Sequence, residues 1–234
     1  MIQPELKAYR RCSDRHVLVL ETNLTYVEKC QIFHYADLVR KAGNELTGIM
    51  KKRYDQLVRT KRYRKLKSLY KRYKDADNKK ALKDVCDQMK EMQKQYDVTW
   101  DYCRTSMIPI GKKYGIDAVF ALTRAEDVFR GIDKCLYSDG ETVHFKKRGD
   151  LPCIRAKQLN RGIIMKQMNF KFKDMEFGVK IKDHYEQEEV DAILYYLKHA
   201  EFMDSIAANT YKETNVCIST YRPCYVSLVC KKIR

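Results

Sequence analysis

Residues 15–20 read Arg-His-Val-Leu-Val-Leu, and Val17–Leu20 form a short unbroken apolar run of the kind a buried strand carries. A strand needs a hydrogen-bonded neighbour, and this one has no candidate partner before residue 142. The whole stretch 23–137 carries apolar residues at three- and four-residue steps instead. The chain must leave a sheet, build a long helical block and return to the sheet. The predicted class is α+β, with a helical bundle inserted into a small β domain. The predicted domains are 1–22 with 138–234, discontinuous in sequence, and 23–137 between them.

Within the block, Thr25-Tyr-Val-Glu28 reads as a capping box. Val27, Leu38, Ala42, Leu46, Ile49, Met50 and Leu57 follow helical spacing behind it, in a helix that runs unbroken or bends near Gly43 or Gly48. A second helix spans about 60–74, with Tyr63, Leu66, Leu69, Tyr70 and Tyr73 as its stripe. Asp75-Ala-Asp-Asn78 marks a turn or cap, and Leu82, Val85, Cys86, Met89, Gln93 and Tyr96 mark a third helix. Pro109 and Gly111 are expected to interrupt the next segment. Ala118, Ala121, Leu122, Ala125, Val128, Phe129, Ile132 and Leu136 give a further helix, closed by the turn Ser138-Asp-Gly140. Strands are then predicted at 142–146, 162–165, 169–173 and 176–182, a helix from Glu186 to about Ala207, and strands at 215–220 and 225–231.

Charge is distributed unevenly. The chain carries +16 overall, from 47 Lys+Arg and 31 Asp+Glu. Residues 51–80 hold 14 Lys+Arg and three acids, and residues 146–173 hold nine and one. Those two segments carry +11 and +8, which leaves the rest of the chain at −3. A polyanion is the partner such patches suit. An anionic membrane is the competing polyanion, and a solvated helix face is the usual fate of a charge run. Two separate patches in an otherwise slightly acidic chain favour nucleic acid. Tyr54, Tyr63, Tyr70 and Tyr73 lie within the first patch. Packing against a neighbouring helix is their expected role, with base stacking by one or two rings as the alternative.

Other classes find less support. The 44% hydrophobic content excludes a fully disordered chain. No apolar run reaches the roughly 18–20 residues of a membrane span, and residues 1–12 lack the apolar core of a signal peptide. Nine scattered cysteines with no C-x-x-C pair read as reduced thiols in the cytoplasm. Cys12 with His16 and Cys30 with His34 have zinc-compatible spacing without a knuckle, and are expected to be ordinary residues. No P-loop, dinucleotide fingerprint, zincin helix or nucleophile elbow occurs. Asp117, Glu126, Asp127 and Asp133 could be read as a metal cluster, but helical spacing makes salt bridges their expected role. The expectation is no catalytic residue, no metal and no cofactor.

Further motifs carry a resemblance. They are Ala-Glu-Asp-Val-Phe-Arg-Gly-Ile-Asp-Lys-Cys-Leu (125–136), Phe-Lys-Lys-Arg-Gly (145–149), Ile-Arg-Ala-Lys (154–157), Asn-Arg-Gly-Ile (160–163) and Tyr-Val-Ser-Leu-Val (225–229). With the inserted basic helical block, they resemble the N-terminal half of the TnpB-like transposon-encoded RNA-guided nucleases and the compact type V CRISPR effectors. The resemblance implies a β-barrel-like wedge domain split by a helical recognition lobe. It also implies binding of a structured guide-type RNA and of a DNA target as an RNA–DNA hybrid. In that family a RuvC nuclease domain follows the wedge. Here the sequence stops at Arg234, straight after the last wedge-like strand, and shows neither the nuclease carboxylates nor the zinc-ribbon cysteines. The expected function is the nucleic-acid-binding half of an RNA-guided DNA endonuclease, completed by a C-terminal nuclease domain or partner and independent of membranes. The alternative is a regulatory or structural interaction protein of a phage or transposon, with no RNA affinity of its own.

The resemblance implies lobes that hold the guide RNA scaffold and the guide–target hybrid, a task that suits cationic side chains clasping phosphates. The corresponding candidates are Arg59, Arg62, Arg64, Lys65 and Arg72 in the first patch. In the second they are Lys146, Lys147, Arg148, Arg155, Lys157 and Arg161. Gly149 and Gly162 are either turn residues or points of close backbone approach to a phosphate.

Overall fold

The structure, a computed structural model, describes residues 7–8, 15–138, 140, 142–155, 162–166, 169–181, 186–208 and 224–231. Its elements run β1 (Lys7–Ala8), β2 (Arg15–Glu21), α1 (Tyr26–Arg59), α2 (Lys61–Asp75), α3 (Lys79–Gln95), α4 (Trp100–Lys113) and α5 (Ala118–Tyr137). Then follow β3 (Ile154–Arg155), β4 (Ile163–Lys166), β5 (Asn169–Phe172), β6 (Met175–Phe177), α6 (Gln187–His199), β7 (Ala200–Ala208) and β8 (Cys224–Lys231). The class is α+β. No helix among the described residues is long and apolar enough to cross a membrane.

The early strand does wait for the end of the chain. β2 pairs antiparallel with β8, from Arg15 opposite Lys231 to Glu21 opposite Tyr225. One sheet has the order β1-β2-β8-β7-β3, and β4-β5-β6 form a second, separate meander. The described strands therefore lie in two sheets and do not close into the expected barrel.

Packing divides the chain into two compact units. One comprises Met1–Arg40, Ile116–Thr123 and Lys147–Arg234, and the other Lys41–Gly115 and Arg124–Lys146. The boundaries fall inside α1 and α5 rather than at 22/23 and 137/138. The physical reason is that Tyr35 of α1 and Phe120 of α5 are buried against Phe172 of β5.

In the strand-rich unit, the capping box forms as read. Thr25 N donates to Glu28 Oε2 at 2.8 Å, and Glu28 N donates back to Thr25 Oγ1 at 3.4 Å. Ile32, Phe33, Tyr35, Ala36 and Val39 are buried, whereas Val27, expected on the same stripe, is 62% exposed. Tyr35, Phe120 and Phe172 meet edge to face, with centroids 5.4–5.7 Å apart. Tyr35 OH also donates to Asp117 Oδ2 at 3.0 Å, and burial pushes its phenol well above the usual range. Gly162 adopts φ +81, and a β-carbon there would strike the Phe120 ring. That close approach and the positive φ are enough to require glycine here. Gly149, at φ +96 with Asp150 N bonded to Lys147 O, is a turn residue.

The helical unit is built from the remainder of α1 with α2, α3, α4 and most of α5. Ala42, Leu46, Met50, Tyr54 and Leu57 form an unbroken buried stripe through Gly43 and Gly48. Thr60 joins α1 to α2: its hydroxyl donates to Leu57 O at 2.8 Å and accepts from Tyr63 N at 3.3 Å. The Asp75–Asn78 turn places Asn78 as the N-cap of α3.

Several sequence expectations are corrected. α4 continues through Pro109 and Gly111. An interior proline costs a helix about 3 kcal/mol, and here the burial of Cys103, Met107 and Ile110 on one face offsets that cost. Residues 142–146 form no strand, and at Lys146 the Asn44 side chain takes both backbone groups that a ladder would use. Asn44 Nδ2 donates to Lys146 O at 2.8 Å, and Lys146 N donates to Asn44 Oδ1 at 2.9 Å. The helix expected to reach Ala207 stops at His199, and Ala200–Ala208 instead pairs with β8. The third meander strand is only Met175–Phe177, although Val179 makes an isolated bridge to Thr22. The strand expected at 215–220 lies outside the described residues.

Candidate nucleic-acid interface

α2 is the most strongly charged element of the helical unit. Its fifteen residues hold eight cations and one acid, Asp75, at the last position. At 100° per residue, Tyr63, Leu66 and Tyr70 share one face. Tyr63 and Leu66 are buried, and the Tyr70 ring meets Tyr137 edge to face at 5.7 Å. The stripe is therefore a packing stripe, as expected. The opposite face carries Lys61, Arg64, Lys65, Lys71 and Arg72, with Arg62 on its flank, and all six are exposed.

Lys67 lies at the edge of the buried face and has a structural task. Its ammonium donates to the Cys135 carbonyl at 2.7 Å, and the Tyr54 hydroxyl donates to the same oxygen at 3.3 Å. These bonds satisfy a carbonyl in the last turn of α5, where helix carbonyls lack internal donors. Burial lowers the Lys67 pKa. Burial likewise pushes the Tyr54 phenol up to about 12. The anchored edge fixes which face of α2 meets solvent.

Ion pairs neutralise part of the unit's surface charge, although Lys52, Lys74, Lys79, Lys80, Lys83, Lys112, Arg130 and Lys134 are, like the outer face of α2, exposed and outside any ion pair among the described residues. Lys51, Arg53, Lys90, Lys94, Arg104 and Lys113 all face carboxylates, at 2.8–3.7 Å. Among the described residues, none of Arg59, Lys61, Arg62, Arg64, Lys65, Lys71 and Arg72 makes an ion pair. Lys61, Arg62 and Arg64 also crowd the first turn, where the helix dipole disfavours positive charge by about 0.3–1 kcal/mol each. Like charges at Lys61/Lys65 and Lys67/Lys71 add i,i+4 repulsion. For a purely structural helix the first-turn cations are unfavourable on both counts, whereas Arg72 and Lys74 in the last turn are favourably placed. An anion laid along the face would reverse both terms.

Arg59 ends α1, and with Arg64, Tyr54, Asp55 and Val58 it lines a shallow hollow of about 460 Å³. Arg59, Arg62, Arg64, Lys65 and Arg72 are thus brought together around α2. Lys146 belongs to the same unit, with its backbone held by Asn44. Lys147 and Arg148 are exposed in a turn of the strand-rich unit. Arg155 is half-buried on β3, and its carbonyl accepts from Thr123 Oγ1 at 2.9 Å. Lys157 and Arg161 lie outside the described residues.

One residue that charge counting passes over is Arg124, buried to 6% exposure in α5. Its signal is positional: it falls three residues after Ala121 and four before Val128, on the apolar stripe of its helix. Among the described residues no group of three or more His, Cys, Asp or Glu side chains is placed to hold a metal ion. No protein-family model matches the chain, and no curated protein matches it.

Proposed function

We propose that this chain is a nucleic-acid-binding module whose principal contact surface is the outer face of α2, together with Arg59. Its ligand is structured RNA, or an RNA–DNA hybrid, gripped through phosphates. The observation that carries this reading is the set of seven exposed, unpaired cations on and beside one helix. The regular spacing of phosphates along a duplex suits such a row, and arginine adds bidentate contacts. Lys147, Arg148 and Arg155 offer a second cationic surface in the other unit. The reading agrees with the resemblance to the guide-binding half of TnpB-like nucleases. On this reading the module works in the cytoplasm, recognises backbone and shape, and leaves phosphodiester cleavage to another domain or partner.

The test is a binding titration of the purified chain against an RNA hairpin, an RNA–DNA hybrid and vesicles of an anionic phospholipid. The expected result is saturable binding of RNA or hybrid, an elevated 260/280 nm absorbance ratio before nuclease treatment, and weak vesicle binding. Preference for vesicles would make the polyanion a membrane. Absence of any nucleic-acid affinity would leave the interaction-protein reading.

A further inference from the structure

Arg124 presents a problem that the α2 surface does not solve. Its guanidinium is buried, yet its Nε has no hydrogen-bond partner. Its nearest carboxylate is Asp127, where Nη1 and Oδ2 are 3.9 Å apart, beyond hydrogen-bonding distance. Arginine stays cationic in proteins, so this is a buried positive charge with incomplete compensation. Burial lowers its pKa, with Asp127 opposing that shift.

The surroundings keep space for this side chain. Gly43 lies in the interior of α1, where glycine is about 1 kcal/mol less favourable than alanine. A β-carbon at Gly43 would overlap Arg124 Nε. The glycine thus leaves the guanidinium its place beside a hollow of about 540 Å³. Among the described residues, Lys134, His144 and Lys146 line that hollow with Arg124, and Asp127 is the one carboxylate; Asp127 and Lys146 each make a further interaction. Gly131 and Val143 supply an apolar wall. Asp139 and Glu141, neighbours of Gly140 in sequence, lie outside the described residues. All the lining residues belong to the helical unit.

We propose that this hollow is a phosphomonoester site, with Arg124 as its buried anion-binding group and room for a ligand of mononucleotide size. A cavity of this volume falls within the range of small-ligand sites. A planar guanidinium matches two oxygens of a phosphate, and the lysines add charge around it. The apolar wall at Gly131 and Val143 suits a base or sugar face. The same chemistry is offered by a free mononucleotide and by the 5′-phosphate at the end of a strand. The proposal is independent of the α2 surface.

The test uses the full chain, with inorganic phosphate, uridine 5′-monophosphate and uridine as probes. A 5′-phosphorylated dinucleotide and its 5′-hydroxyl counterpart complete the set. Uridine monophosphate at about 1 mM should bind measurably by calorimetry, and uridine should not. In the wild type, NMR shifts should move at the His144 ring and the Gly131 amide, a readout that needs no variant. Arg124→Gln should weaken monophosphate binding by roughly 10- to 100-fold, the loss expected for a charge-assisted hydrogen-bond partner. Gly43→Ala should weaken it as well, by displacing the guanidinium. Tighter binding of the phosphorylated dinucleotide than of the mononucleotide assigns the site to strand ends, and the reverse assigns it to free nucleotides. The triple variant Arg64→Gln, Lys65→Gln, Arg72→Gln should bind monophosphate as the wild type does, which separates this site from the α2 reading. Equal binding of uridine and its monophosphate, absence of shifts at His144 and Gly131, or unchanged affinity in folded Arg124→Gln would overturn the proposal.

Discussion

Replacing Arg64, Lys65 and Arg72 together with glutamine is expected to reduce the slope of log affinity against log salt by about three units, one for each phosphate no longer neutralised. These three side chains are exposed and make no ion pair among the described residues, so the substitutions break no internal pairing of that kind. Phosphate binding gains free energy by releasing condensed counterions. A surface that neutralises about 6–10 phosphates weakens by about 10³–10⁵ in affinity between roughly 50 and 200 mM salt. Three fewer neutralised phosphates should remove about 40- to 60-fold of that span. A control triple, Lys90→Gln, Lys94→Gln and Arg104→Gln, makes the same change in net charge at residues that face carboxylates. It should leave the slope nearly unchanged. Fluorescence titrations at several salt concentrations on the wild type and both variants decide the matter. Equal effects in the two triples would mean that net charge, not the α2 face, drives binding.

The second large effect is on stability. Phe120→Ala should cost about 3–5 kcal/mol, the range for emptying a buried aromatic site. Phe120 is 1% exposed, touches the Tyr35 and Phe172 rings, and lies over Gly162. Its ring thus joins α1, α5, β5 and the approach to β4. Collapse around the cavity is restricted because three separate segments line it. Such a cost is a large fraction of the roughly 5–15 kcal/mol that holds a typical domain folded. Val27→Ala, on the exposed first turn of α1, should change stability by less than about 0.5 kcal/mol. Denaturant midpoints followed by circular dichroism measure both. A Phe120→Ala midpoint equal to that of the wild type would contradict the packing described for the strand-rich unit.

The parts of the fold that the sequence made legible are those decided locally. Thr25 and Glu28 satisfy each other within one helical turn, so the start of α1 could be read from four residues. Thr60 and Asn78 cap their helices by equally local bonds. The unbroken apolar run before Glu21 required a partner strand, and the chain supplied β8. The misreadings occur where distant contacts decide. Residues 142–146 read as a strand, but they form none, and a side chain 102 positions away takes the backbone bonds of Lys146. Ala200, Met203 and Ala207 keep helical spacing, and two register irregularities in the β7–β8 ladder disrupt the alternation that would have exposed a strand. Pro109 was a local stop signal that burial of its own helix overrode.

The candidate surface was legible because it is a matter of composition: cations dense in sequence stay dense on a helix. Which of them face solvent was not. Lys67 counts equally with Lys65 in the sequence, yet one bonds the Cys135 carbonyl and the other is exposed. Arg124 was hidden for the opposite reason, as a single charge inside an apolar stripe, and its relation to Gly43 exists only once α1 and α5 are packed.

Lysine acetylation of the full chain, with and without a bound RNA hairpin and read by mass spectrometry, distinguishes an RNA-covered α2 face from a solvated one. Lys61, Lys65 and Lys71 lie on the outer face of α2, and Lys90 and Lys94 are exposed on α3 in the same unit. If α2 carries the RNA, the first three should become largely unreactive on binding while Lys90 and Lys94 keep their reactivity. Undiminished acetylation of Lys61, Lys65 and Lys71 in the RNA-bound protein would mean that the α2 face does not carry the RNA.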